Sequence, residues 1–113
     1  MTFKELITNT KDIFQWAVVD ENVQDPKTNE WKKDYPVYGA FYRGFYCGYW
    51  YKRKFYMFEM LDGTDDEVWL DSDDQTEYTS TKKVLEAISQ LNETVKCAEQ
   101  FMKEVEIKQD FED

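Results

Sequence analysis

Residues 37–61 read VYGAFYRGFYCGYWYKRKFYMFEML, a stretch in which aromatic runs are interrupted by two short basic segments. As a helix, its first half would carry three glycines, and each would cost about 1 kcal/mol relative to alanine. As strands, the same stretch places Arg43-Gly44 and Lys52-Arg53 in tight turns between runs of strong β-formers. We therefore predict an antiparallel meander, with strands at residues 37–42, 45–51 and 55–61.

Shorter elements precede the meander. Thr2 and Glu5 have the spacing of a capping box, in which each side chain satisfies an amide of the first turn, and this predicts a helix over residues 3–10. The β-branched and aromatic run at residues 13–19 predicts a strand. The sequence then turns polar, so we expect a loop over residues 20–36.

The pattern changes period in the C-terminal third of the chain. A strand is predicted at residues 67–71, and from residue 81 to residue 108 apolar residues recur at steps of four and three, as on one stripe of a long helix. We expect this stripe to cover one face of the aromatic sheet, which otherwise has no layer large enough to bury it. The heptad spacing also suits a coiled-coil homodimer, which remains an alternative. The stripe consists of Val84, Ile88, Leu91, Val95, Ala98, Met102 and Val105.

These elements predict a single α+β domain over residues 1–113. It has a short N-terminal helix, a four- to five-stranded antiparallel sheet and a long C-terminal helix packed on one face. A chain of 113 residues suits one domain, because two half-sized cores would be too small to be stable. The absence of a secretory signal and of any long apolar run predicts a cytoplasmic protein. Cys47 and Cys97 are expected to be free thiols.

The chain lacks the usual apparatus of catalysis. It contains no histidine, which removes the Ser-His-Asp and Cys-His systems and the commonest general base at neutral pH. It also has no glycine-rich phosphate loop and no dinucleotide fingerprint. The alternate acids that begin at Asp71 are similar to the opening of a calcium loop, but Thr76 replaces the glycine of the sharp turn and Lys82 the final acid. We therefore expect no enzyme, no cofactor and no metal, and an exposed acidic turn at residues 71–77.

Negative charge is concentrated in one segment. The formal net charge is −10, which repels nucleic acid and attracts basic surfaces. Residues 62–77 contain eight acids and no cation, with Trp69 among them. In an extended chain alternate residues lie roughly 6.6 Å apart, a pitch similar to that of successive phosphates. The acids are Asp62, Asp65, Asp66, Glu67, Asp71, Asp73, Asp74 and Glu77.

Such a row of carboxylates predicts a non-catalytic binding or inhibitor protein whose partner presents a basic surface, as a nucleic-acid enzyme does. The eight acids would form the rim of the contact, and Trp69 would be an anchor that becomes buried in it. Small size, strong acidity and a heavy aromatic core are also typical of DNA-mimicking inhibitors that phages and other mobile elements carry, such as anti-CRISPR proteins. That likeness is one of composition and not of family.

A third hypothesis uses the basic half of the charge distribution. Between Lys27 and Lys54 seven cations accompany only two acids, and several of these cations interleave with aromatic residues. A sheet face of this kind could stack single-stranded bases and hold phosphates. Arg43-Gly44-Phe45 also matches the first three places of the RNA-recognition-motif signature, but the following residues depart from it. We expect the rings to be core and the cations to be turn residues, so nucleic acid is not the predicted partner.

Overall fold

The computed structural model describes the backbone of residues 1–24 and 31–112, and the side chains of residues 1–19 and 37–109. Its architecture confirms the predicted α+β fold, with a short N-terminal helix, a five-stranded antiparallel sheet and a long C-terminal helix. In chain order the elements are α1 (Phe3–Thr10), β1 (Gln15–Gln24), β2 (Trp31–Tyr42), β3 (Phe45–Tyr51), β4 (Lys54–Phe58), β5 (Leu61–Gly63), β6 (Val68–Leu70), β7 (Gln75–Tyr78) and α2 (Thr81–Glu112).

The aromatic stretch forms the predicted meander. The main sheet has the strand order β1-β2-β3-β4-β7, and each neighbouring pair is antiparallel. Arg43, Gly44, Lys52 and Arg53 have φ values of 50°, 87°, 48° and 68°, as in the tight turns that match the twist of paired strands. Gly48 admits a close neighbour, because a Cβ there would lie 2.9 Å from Cζ of Phe55.

The loop predicted over residues 20–36 is wrong wherever the structure describes it. β1 continues to Gln24 and β2 begins at Trp31, and the two remain paired to that end, while residues 25–30 lie outside the described part. The ladder of backbone hydrogen bonds needs no apolar side chains, so a polar composition did not prevent pairing. Pro36 lies where the register shifts, between the pair Asp20–Val37 and the pair Asn22–Lys33.

The acidic part of the chain is arranged differently from the prediction. The strand predicted at residues 55–61 is divided into β4 and β5, and the one predicted at 67–71 is β6, which pairs with β5 in a separate hairpin. The fifth strand of the main sheet is β7, within the stretch predicted to be an exposed turn. In β7 the exposed Gln75 and Glu77 alternate with the half-buried Thr76 and Tyr78. Only every second side chain is therefore partly buried, and the sequence of the strand looks largely polar.

Helix α2 packs on one face of the sheet, as predicted. Val84, Leu91, Val95 and Ala98 are buried, and the Tyr42 hydroxyl donates a hydrogen bond of 2.6 Å to Asn92 Oδ1 across the helix–sheet contact. The predicted stripe is not buried along its whole length, because Met102 is 45% exposed. The prediction fails at Met102 because the burial of a helix face depends on what packs against it, and not only on the spacing of its apolar residues.

Helix α1 closes the other end of the same core. The Thr2 side chain accepts a hydrogen bond from the Glu5 backbone amide at 3.1 Å, as in the predicted cap, and the Glu5 carboxylate accepts one from the Thr81 hydroxyl at 3.0 Å. The Phe3 ring stacks on Tyr38 with their centroids 4.4 Å apart. The two helices and the sheet therefore share one aromatic core.

Candidate partner-binding surface

The first part of the acidic segment (residues 62–77) is a closed hairpin tip. The Gly63 amide donates to Asp62 Oδ1 at 2.8 Å, and the Glu67 amide donates to Thr64 Oγ1 at 3.2 Å. The Thr64 amide donates in turn to the Glu67 carbonyl at 2.9 Å. These bonds are those of turns in which side-chain oxygens take the place of backbone acceptors. The hairpin tip is therefore folded by the polar residues that it presents.

The second part of the segment is tied to the end of β4. The Asp71 amide donates to the Met60 carbonyl at 2.8 Å, and the Glu59 amide donates to the Asp74 carbonyl at 3.2 Å. Between these two links, Asp71 Oδ1 accepts from the Asp73 amide at 2.9 Å. The backbone that carries these acids is thus hydrogen-bonded to the scaffold at both ends of the turn.

Among the described residues, one of the eight acids forms an ion pair and seven do not. Glu77 lies across the ladder from Tyr56 and forms an ion pair with Lys54, whose pKa is raised mainly by that hydrogen bond. In the part of the chain that the structure describes, none of the other seven forms an ion pair. Asp71 is half-buried, and Asp62, Asp65, Asp66, Glu67, Asp73 and Asp74 are exposed. Glu77 therefore contributes to the sheet edge rather than to the negative surface.

The short hairpin has one cross-strand pair on its inner face and the next pair on its outer face. Leu61 pairs with Leu70, which is 4% exposed and belongs to the core, whereas Asp62 pairs with Trp69, which is 42% exposed. Because alternate residues of a strand point to opposite faces, Leu70 fixes the hairpin to the core while Trp69 is presented with Asp62 on the other side. Of the predicted acids, Asp62 is thus placed beside the predicted Trp69.

Trp69 also lines a cleft between the hairpin, the β2–β3 turn and the C-terminal part of α2. The cleft has a volume of about 820 Å³. We call it the Trp69 cleft. Its apolar surface includes Tyr46 and Met102, which are 36% and 45% exposed. It is lined by Arg43, Gly44, Phe45, Tyr46, Val68, Trp69, Leu70, Ser72, Glu99, Met102, Lys103 and Glu106.

Sequence reasoning missed Tyr46 and Met102 as surface residues. Met102 continues the heptad of the buried stripe, and no local pattern distinguishes it from Val95 or Ala98. Tyr46 lies in an aromatic strand whose other large residues include buried Trp50. These two side chains are exposed because of where the sheet ends and the hairpin begins, which is a feature of the tertiary structure and not of the local sequence.

The charged residues of the cleft are arranged around its apolar wall. Arg43 Nη2 lies 3.1 Å from Glu99 Oε1, while Lys103 and Glu106 lie further along the helix. Burial, with smaller contributions from Tyr49 and Cys47, raises the pKa of Tyr46 to about 12. The Tyr46 hydroxyl is therefore neutral at physiological pH and can donate a hydrogen bond to a ligand.

The cations of the nucleic-acid hypothesis lie in turns and at a strand end, and two of them are paired with carboxylates. Arg43 and Gly44 form a turn rather than the middle of a strand, and Arg43 and Lys54 are each paired with a carboxylate. On the sheet face that does not carry Trp50, Tyr49 and Tyr56 stack with centroids 4.9 Å apart. Lys54, which lies close enough to Tyr56 to lower the pKa of its hydroxyl, is paired with Glu77, whereas Lys52 lies over the Tyr51 ring with its Nζ 5.3 Å from the centroid.

The chain matches no family model, and comparisons with curated proteins and with solved structures found no match either. Among the described residues, no group of three or more histidine, cysteine or acidic side chains is placed to hold a metal ion. Neither helix, over its described residues, has an apolar stretch of the length that crossing a membrane requires. The function is therefore inferred from the chemistry of the acidic segment and the Trp69 cleft.

Proposed function

We propose that this protein is a non-catalytic inhibitor that binds the basic surface of a nucleic-acid enzyme. The contact is made by the acidic segment, in which the seven carboxylates other than that of Glu77 form no ion pair among the described residues, and by the exposed Trp69 of the same segment. The observation that carries the proposal is a hydrogen-bonded backbone that holds these carboxylates in place without any neutralising partner among the described residues.

Two physical arguments support this contact. Carboxylates on a fixed backbone attract a basic groove from a distance and lose little conformational entropy when they reach it. An exposed tryptophan adds apolar area that a purely electrostatic contact lacks, and tryptophan is enriched among residues that dominate binding energy. The acidic rim then raises the association rate and the specificity of binding, and the aromatic residue raises the affinity.

The proposal is tested by capture from a host extract at low salt, with a neutralised variant as the matched control. The variant carries Asp65→Asn, Asp66→Asn, Asp73→Asn and Asp74→Asn. In the described structure these four side chains accept no hydrogen bond, so their replacement removes charge and leaves both turns intact. We expect the native protein to capture a nucleic-acid-binding protein that the variant does not.

The captured protein must also behave as a target of a nucleic-acid mimic. Duplex DNA or heparin should release it, because they compete for the same basic groove, and its affinity should fall steeply as salt rises. Equal capture by the neutralised variant would show that the acidic segment is not the contact. Capture that duplex DNA and heparin leave undisturbed would argue against mimicry.

A homodimer formed through α2 is a second candidate, favoured by one observation. Met102 and Ile107 are 45% and 57% exposed near the end of the helix. The earlier part of the stripe, from Val84 to Ala98, is already buried within the chain, which leaves less than two heptads for a partner helix. Sedimentation at low and high protein concentration distinguishes the two, and a mass above 13.7 kDa that depends on Met102 and Ile107 would support the dimer.

A further inference from the structure

We infer that the Trp69 cleft receives an apolar side chain of the partner, presented by a segment that carries lysine or arginine next to it. This inference rests on the proposed function and specifies the chemistry of the partner. It also reverses the expected direction of insertion, because Trp69 forms a wall that receives a side chain and does not itself enter a pocket of the partner.

The apolar wall of the cleft is the first argument. Tyr46, Trp69 and Met102 come from three different elements and are all more than a third exposed. The two rings are rigid surfaces, whereas methionine is flexible and adapts to the shape of what it contacts. The volume of about 820 Å³ exceeds that of any single side chain, so a segment of polypeptide fits the cleft better than one isolated group.

The charge around the cleft is the second argument. On the hairpin side, Asp71 and Asp73 flank the lining residue Ser72, whereas Glu67 lines a different depression. On the helix side, Lys103 and Glu106 balance each other, and Glu99 is already paired with Arg43. The uncompensated charge at the rim is therefore negative and favours basic neighbours for the apolar side chain. A second copy of this chain suits the rim poorly, because the net charge is −10.

Two probe peptides separate the cleft from the acidic segment. One is Lys-Arg-Leu-Arg-Lys with blocked ends, and the other has serine in place of leucine. We expect the leucine peptide to bind roughly tenfold more tightly in low salt, because it buries an apolar side chain that serine lacks. In NMR titrations the Trp69 indole and the Met102 methyl signals should shift with the leucine peptide, whereas the Asp73 amide should shift with both peptides.

The matched variants are Met102→Glu and Ile107→Glu. Both residues are exposed on α2, but only Met102 lines the cleft, so both variants should fold. Met102→Glu should abolish the preference for leucine, because it removes part of the apolar wall. It should not weaken the binding of the serine peptide, because it adds negative charge. Ile107→Glu should keep the preference.

The outcomes distinguish this inference from the proposed function. Equal binding of the two peptides, lost in the variant neutralised at Asp65, Asp66, Asp73 and Asp74, would overturn the cleft inference and leave the acidic contact standing. Undiminished affinity of that neutralised variant for both peptides, with the leucine preference kept, would overturn the acidic contact and leave the cleft. Absence of any shift with either peptide at low salt would overturn both.

Discussion

Cys47 occupies an extra position in β3 relative to β2. Ala40 pairs with Gly48 and Phe41 pairs with Tyr46, so Cys47 has no partner across the ladder and forms a bulge. Its side chain is fully buried, and its thiol donates to the Ala40 carbonyl with an S–O distance of 3.3 Å. Burial raises the pKa of Cys47 to about 12, like that of its neighbour Tyr46. Two adjacent side chains therefore resist ionisation in the folded state.

The pH dependence of stability should report this burial. Because the pKa of Cys47 is raised in the folded state, the unfolded chain loses the thiol proton at a lower pH than the folded chain does. The protonated thiol therefore stabilises the fold fully below the ordinary thiol value of 9.0, and this stabilisation is lost as pH rises towards 12. One group changes the free energy of unfolding by about 1.4 kcal/mol per pH unit in that window. Cys47→Ala should flatten the loss measured by urea unfolding, most clearly below the ordinary tyrosine value of 10.0, where Tyr46 does not yet contribute.

Cys97→Ala is the control for this measurement. Cys97 is an exposed free thiol, so its removal should leave the alkaline slope as it is in the native chain. If Cys47→Ala and the native protein lost stability with the same slope, the Cys47 thiol would not be held neutral by burial.

Helix α2 uses one apolar stripe for two purposes. At 32 residues it is roughly 48 Å long. Val84, Leu91, Val95 and Ala98 are buried in the core, whereas Met102 lines the Trp69 cleft. The same spacing thus serves folding in the first half of the helix and an accessible surface near its end.

Truncations along the stripe should separate these purposes. Leu91→Ala should lower the free energy of unfolding by about 2–4 kcal/mol, because it leaves a cavity in the core. Met102→Ala should change it by less than about 0.5 kcal/mol, because the side chain is already half in solvent. Both values come from urea unfolding at neutral pH. A large loss in Met102→Ala would mean that the cleft wall is part of the core.

Secondary structure was predictable where local pattern and tertiary environment agree. The glycines and turn residues of the meander and the period of α2 identified those elements correctly. β7 was missed because Glu77 and its acidic neighbours are typical of a turn, whereas the partner that makes it a strand is the distant β4. The acids and Trp69 were proposed as contact residues from composition alone, and that role stays a prediction. The exposure of Tyr46 and Met102, in contrast, depends on where separate elements meet.

Across the whole molecule, like charges are crowded on one hairpin and its following turn. Asp65, Asp66, Asp73 and Asp74 are exposed and carry no ion pair among the described residues. Their mutual repulsion opposes the folded state, and the chain as a whole carries ten excess negative charges. This crowding of like charges is therefore expected to lower the stability of the fold.

Neutralising those four acids to asparagine should raise the melting temperature by about 2–5 °C at low salt. The gain should shrink as salt increases, because screening already weakens the repulsion in the native protein. Differential scanning calorimetry at two salt concentrations measures both effects. A lower melting temperature in the variant would show that these carboxylates hold the turns together, and loss of binding would then have a structural cause.

The hairpin of β5 and β6 is inserted between two strands that already lie side by side. Phe58 at the end of β4 pairs with Gln75 at the start of β7, so the chain leaves the sheet and returns to it at the same place. Leu61 and Leu70 connect the insertion to the core. Provided that these two leucines stay apolar, the insertion can diverge in length and charge without disturbing the scaffold. Evolution can in this way exchange one short module while the sheet is kept, and an engineer can graft a different loop at the same point.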